Sequence, residues 1–288
     1  MATHEYEVEV QLAEREIIGR LQVLEPTRRQ RVLRKLVAAA LGSIPWVGGF
    51  MAAAMAFREE SGQLAVDSLQ RQWLEEHKAK METLWRDLAR LTARLDSFGE
   101  EITQRLESEE YLALVRKGFR IWDQADTEQK RGYIAKLLAN AGATKLCDDD
   151  LIRLFLDWLE RYHESHFKVI REVFQHPGST RHDIWAHIHG EFPADNSSEA
   201  DLFRLLIGEL SQGRIIRQHR EVDYQGRFLR KQKNRPDPGS GSGVMKSAFD
   251  DEEAYELTEL GKQFVHYVFS EIVKRIDEAE PTSTARTS

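Results

Sequence analysis

One cysteine, Cys147, stands in 288 residues, so no internal disulfide can form and the fold must rest on packing alone. Prolines number only seven, which leaves long stretches free to be helical. Residues 1–20 have no basic head followed by an apolar run, so no secretory leader is expected. No fixed-period repeat is found, which excludes a solenoid. Phosphate-loop, dinucleotide-glycine and Gly-x-Ser-x-Gly patterns are also missing, and no catalysis is expected. Basic residues do not predominate: the formal charge of −7 excludes a protein that coats nucleic acid through bulk charge.

What is present suits a mainly α protein of two domains. Hydrophobic residues make up 41% and charged residues 31%, enough apolar material for two cores. Residues 1–147 read as a helical bundle or coiled-coil region, 148–278 as a second domain and 279–288 as a disordered tail. Residues 5–12 alternate polar and apolar, yet no partner strand is evident, and an arm or helix start is expected there. A helix opening near Pro26 then carries Arg28, Arg29, Arg31, Arg34 and Lys35.

Leu36–Phe57 contains no charge, and Gly42, Pro45, Gly48 and Gly49 interrupt it. An apolar helical hairpin bent near Pro45 is expected, with Leu41, Ile44, Pro45, Trp46, Val47 and Phe50 offered to a protein partner or, conditionally, to an anionic membrane. A small-residue hairpin packed in the bundle is the alternative. One long helix is expected over 62–108, because Met81, Leu84, Leu88, Leu91, Leu95, Phe98 and Ile102 keep a heptad spacing. Its partner is another helix of this chain or a second copy. Further on, Asp126 is expected to cap a helix ended by Gly142, and Asp148–Asp150 to open a long helix whose apolar stripe runs through Phe155, Trp158, Phe167 and Phe174.

After His176-Pro177-Gly178 the pattern is a short helix with Ile184, Trp185 and Ile188, then a third helix with Leu202, Leu205, Leu206 and Leu210, broken by Gly213. Residues 214–220 and 227–230 read as two strands around Gln225-Gly226, and Thr258 as the cap of a last helix. "Leu-Leu-Ile-Gly-Glu-Leu-Ser-Gln-Gly-Arg-Ile-Ile" (205–216) and "Tyr-Glu-Leu-Thr-Glu-Leu-Gly" (255–261) resemble the third helix with first wing strand, and the return from the wing, in winged-helix regulators of the MarR and PadR type. The resemblance covers about residues 150–276. It implies a winged-helix-like fold and, only weakly, a function, because such modules also bind proteins.

Arg217, Arg220, Arg227, Arg230, Lys231 and Lys233 are the candidate phosphate contacts of that wing, opposed only by Glu221 and Asp223. The third helix argues the other way: Asp195, Glu199 and Asp201 crowd its start, with Arg204 the sole cation. His163 and His166, beside Glu160 and Glu164, share a helical face, as do His182 and His189, while His187 and His189 diverge; without stronger spacings no metal or cofactor is expected. The chain therefore reads as a cytoplasmic interaction protein, an adaptor or effector at times peripheral to a membrane. The other reading is a DNA-binding regulator that dimerises through its long helix.

Overall fold

The computed structural model describes residues 28–50, 68–97, 102–144, 147–220 and 247–269, with single positions at 223–225, 227 and 229. Within the first long segment after residue 67, side chains are described from His77 to Leu95. The arm at 5–12, the start near Pro26 and the tail from 279 lie outside these residues. The described chain is mainly helical with one two-stranded antiparallel sheet, and it divides into two compact units that part between Glu160 and Arg161. The sequence boundary at 147 therefore falls one helix early.

In the N-terminal unit, α1 (Arg28–Gly42) buries Val32, Leu36, Val37 and Ala40 against the helices after residue 102. A turn at Ser43–Ile44 follows, held by the Ser43 hydroxyl on the Ala40 carbonyl at 2.6 Å. Helical backbone resumes at Pro45, where a missing N–H costs nothing. The bend thus precedes Pro45 rather than centring on it. Next, α2 (Ser68–Ser97) buries Met81, Leu84, Leu88, Leu91 and Leu95, the heptad seam, chiefly against α5 of the same chain. Of the single helix expected over 62–108, α2 (Ser68–Ser97) and a short α3 (Thr103–Glu107) are described, and residues 62–67 and 98–101 lie outside the described residues.

Ser108 caps α4 (Glu109–Gln124), accepting from Tyr111 N–H. Thr127, not Asp126, caps α5 (Glu128–Ala143), because its extended backbone brings the hydroxyl to Lys130 N–H at 3.2 Å. Gly142 does not end that helix. It lies inside it, where a Cβ would stand 2.5 Å from the Tyr111 hydroxyl oxygen, so glycine serves close packing. The unit closes with α6 (Asp149–Arg161), whose first-turn Asp149 receives both arms of the Arg105 guanidinium.

The expected continuous helix through Phe174 breaks at Tyr162–His163, and the C-terminal unit begins there. In α7 (Glu164–Gln175), Phe167, Ile170 and Val173 are buried, whereas Phe174 is exposed. A Thr180–Asp183 capping box opens α8 (Arg181–His189), which Gly190 closes at φ 83°. Ser197 caps α9 (Ser198–Gln212), which buries Ala200, Phe203, Leu206, Ile207 and Leu210 and leaves Leu202 and Leu205 outside.

The sheet pairs β1 (Ile216–Gln218) with β2 (Tyr255–Leu257), Ile216 opposite Leu257 and Gln218 opposite Tyr255. The strand paired with β1 is therefore 255–257; of the strand expected over 227–230 only Arg227 and Leu229 are described, neither in a strand, and Asp223 N–H donates to the Arg227 carbonyl at 2.8 Å. Apolar Tyr255 and Leu257 face the core, a reward the charged 227–230 segment cannot offer. As expected, Thr258 caps α10 (Glu259–Phe269), accepting from Gly261 N–H at 2.9 Å.

Candidate functional site

The end of α9 builds the most distinctive surface of the C-terminal unit. Ile215 N–H reaches back to the Leu210 carbonyl at 3.0 Å and Arg214 N–H to Ser211 at 3.1 Å, with Leu210 and Ile215 buried together. This is a Schellman ending, which needs a left-handed residue. Glycine normally fills that place, yet here it is Arg214, at φ 61°, the only described non-glycine residue with positive φ. Gly213 is a glycine for another reason: a Cβ there would meet the Tyr162 hydroxyl oxygen at 2.4 Å.

Arg214 borders a cleft of about 400 Å³, lined also by Arg181, Arg217, Arg220, Gly208 and Tyr255. Arg181 arrives from α8, and Arg214, Arg217 and Arg220 from the segment that enters, forms and leaves β1. Arg181, in the first turn of α8, donates through Nε to the Tyr255 hydroxyl at 2.9 Å and lies 5.7 Å from that ring. Arg217 leaves β1 and pairs with Glu256 across the sheet at 2.6 Å. Burial pushes the Glu256 carboxyl up, but hydrogen bonds from His219 and Arg217 outweigh it and hold Glu256 below its ordinary value. Glu256 is therefore ionised and offsets Arg217. The guanidinium groups of Arg214 and Arg220, which line the same cleft, have no partner among the described residues.

On the same helix, Leu205 lies one turn before Gly208, and Leu202 one turn earlier. These leucines are 55% and 50% exposed. The start of α9 is acidic: Asp195 is held below its usual range by Ala248 N–H and the Ser247 hydroxyl, and Arg204 is spent on Asp195 and Asp201. Apolar, then basic, is the order along this face.

The remaining candidates fall out as follows. Arg227 pairs with Asp223 at 2.9 Å, and Arg230, Lys231 and Lys233 lie outside the described residues. In the apolar hairpin, Ile44 and Val47 are buried, Leu41 and Phe50 half-buried, and Pro45 exposed. Trp46 is half-buried and tied to its own chain: Nε1–H donates to Asp123 at 2.7 Å, Lys80 joins the same carboxylate at 2.5 Å, and His77 stands edge-on at 5.0 Å. Among the described residues no helix is long and apolar enough to cross a membrane.

His163 and His166 do not converge as ligands. His166 accepts the His163 N–H at Nδ1 and meets Glu209 through Nε2 at 2.8 Å, so both ring nitrogens are used. Burial lowers the His166 pKa despite the Glu209 hydrogen bond. The unfolded chain then binds the extra proton once pH drops below about 6.5, so the stability contribution is full above that value and is lost as pH falls toward the folded-state pKa. Denaturant midpoints should fall between about pH 7.5 and pH 5.5, and His166→Gln should flatten that decline; an unchanged slope in the variant counts against the assignment.

Set against protein families, curated proteins and solved structures, the chain matches none. Sequence reading found Arg217 and Arg220 by charge density. It passed over Arg181 and Tyr255, which reach the cleft only through the fold; the Thr180-x-x-Asp183 spacing was the available hint that Arg181 opens a helix at this point.

Proposed function

We propose that this chain is a non-enzymatic interaction protein whose C-terminal unit captures an acidic, partly apolar segment of a partner protein. The observation that carries the reading is the pair of guanidinium groups, Arg214 and Arg220, that have no partner among the described residues, at a cleft whose helix also displays Leu205 and Leu202. An acidic peptide with apolar side chains at helical or alternate spacing complements both halves of that face. Arg214 adds weight, because a side chain kept in a left-handed backbone costs about 1 kcal/mol that glycine would not, and such outliers gather at working sites.

The element order of three helices, strand, strand and helix supports a winged-helix-like module. Duplex recognition by α9 is disfavoured, since Asp195, Glu199 and Asp201 would approach phosphates and Leu202 and Leu205 offer no base-edge hydrogen bonds. The heptad seam is covered by α5, so a second copy would need another face of α2. Membrane contact by the hairpin would first require breaking the Trp46–Asp123–Lys80 cluster.

Anisotropy of a labelled acidic peptide with interspersed leucines, and of a mixed-sequence duplex, separates the readings at two salt concentrations. Arg214→Glu with Arg220→Glu should weaken the peptide at least about tenfold, and Leu205→Ser should weaken the peptide but not the duplex. Peptide affinity untouched by the double reversal overturns the proposal. Tighter duplex binding, lost on reversal with a reduced salt slope, favours the regulator instead.

A further inference from the structure

Behind the turn between α7 and α8, three side chains converge that none of the spacings above brought together. Glu172 is one turn before the end of α7, His176 terminates that helix, and His187 comes from the last turn of α8. One carboxylate oxygen, Glu172 Oε1, stands 2.8 Å from His176 Nδ1 and 2.5 Å from His187 Nδ1. The three candidate ligand atoms all lie within 4.8 Å of one another, and the imidazole centroids are 5.0 Å apart.

The charge pattern is unusual for a structural carboxylate. Glu172 is buried at 7% exposure, and among the described residues no Arg or Lys pairs with it. A buried carboxylate whose partners are imidazoles lacks a firm counter-charge. We propose that Glu172, His176 and His187 form a binding site for a divalent transition-metal ion of borderline softness, with Zn2+ as the natural fit to a two-imidazole, one-carboxylate set.

The geometry needs little adjustment. Two ligand atoms on a tetrahedral Zn2+ sit about 3.3 Å apart at bond lengths near 2.0–2.1 Å, so the His176 and His187 nitrogens must retreat from Oε1 by about 0.5 and 0.8 Å and approach each other by no more than about 1.5 Å. Both histidines are half-exposed and free to make that movement, while the buried Glu172 stays fixed as the anchor. The turn that aligns them is fixed locally: Gly178 adopts φ +97°, and its N–H donates to the Tyr255 carbonyl at 2.9 Å. Three protein ligands leave a fourth position for water or an outside donor. Bound metal would cross-link the end of α7 to the end of α8, and its affinity would not depend on the arginine cleft.

Calorimetric titration of the full chain with Zn2+ in a non-chelating buffer tests this, alongside the visible absorption of a Co2+-loaded sample and thermal unfolding. One saturable equivalent, a tetrahedral Co2+ spectrum and a raised melting temperature are expected. His187→Gln, a change at a half-exposed position that should fold normally, ought to weaken Zn2+ at least about tenfold, since even outer partners of a ligand cost that much. Glu172→Gln should do the same, and His163→Gln should change nothing. No saturable equivalent in the parent chain, or one that survives His187→Gln, overturns the site.

Discussion

Trp122→Ala is expected to destabilise the N-terminal unit by about 3–5 kcal/mol, the largest effect of any single substitution considered. Trp122 has no exposed surface and sits where α2, α4 and α5 meet. Its indole Nε1–H donates to Asp87 at 2.8 Å, and the Arg131 guanidinium lies 5.2 Å from its ring. Burial raises the Asp87 pKa against the opposing Trp122 hydrogen bond and nearby arginines, so the indole is part of what keeps this carboxylate tolerable. Truncation to Ala leaves a cavity and removes that donor together. Trp122→Phe keeps most of the bulk and loses only the donor, and should cost about 1–3 kcal/mol. Denaturant unfolding followed by far-ultraviolet circular dichroism measures both; equal losses for Phe and Ala would mean that packing contributes nothing here.

Gly261→Ala should be the most damaging small change in the C-terminal unit, near about 3 kcal/mol. A Cβ at this position would stand 2.1 Å from the Ile215 carbonyl oxygen. That oxygen is backbone, already accepting Thr258 N–H at 3.0 Å, and no rotamer can move it aside. Relief requires α10 to lift from the segment that enters β1. Because Arg214 immediately precedes Ile215, the cleft should lose its cations' alignment as well. The expected result is a lowered melting temperature together with at least about tenfold weaker acidic-peptide binding. A Gly261→Ala chain that melts and binds like the parent would show that this approach is looser than described.

Periodic features were legible in the sequence. The heptad seam of α2 and the Thr258 cap each depend on residues a few positions apart, and each has its counterpart in the fold. What escaped depends on distant partners. Tyr255–Leu257 is the strand that pairs with β1, and its alternation feeds the core, something visible only once β1 is in place. Leu202 and Leu205 are as apolar as Leu206 and Leu210 on the same helix, but the buried arc of α9 runs through Phe203, Leu206, Ile207 and Leu210. Gly142 reads as a helix ender but lies inside α5, and Gly213 does end α9; what each accommodates besides is a distant tyrosine hydroxyl, Tyr111 and Tyr162. His187 diverges from His189 on its own helix, as its spacing predicts, but its neighbours Glu172 and His176 come from across a turn that no local spacing reveals.

The left-handed arginine also bears on how this sequence can drift. A single-residue change to glycine at position 214 would relax the backbone and harden the fold by about 1 kcal/mol, so selection for robustness alone would erase the side chain. A lineage that needs only a sturdy scaffold should carry glycine there; one still engaging its ligand should hold on to the less comfortable residue.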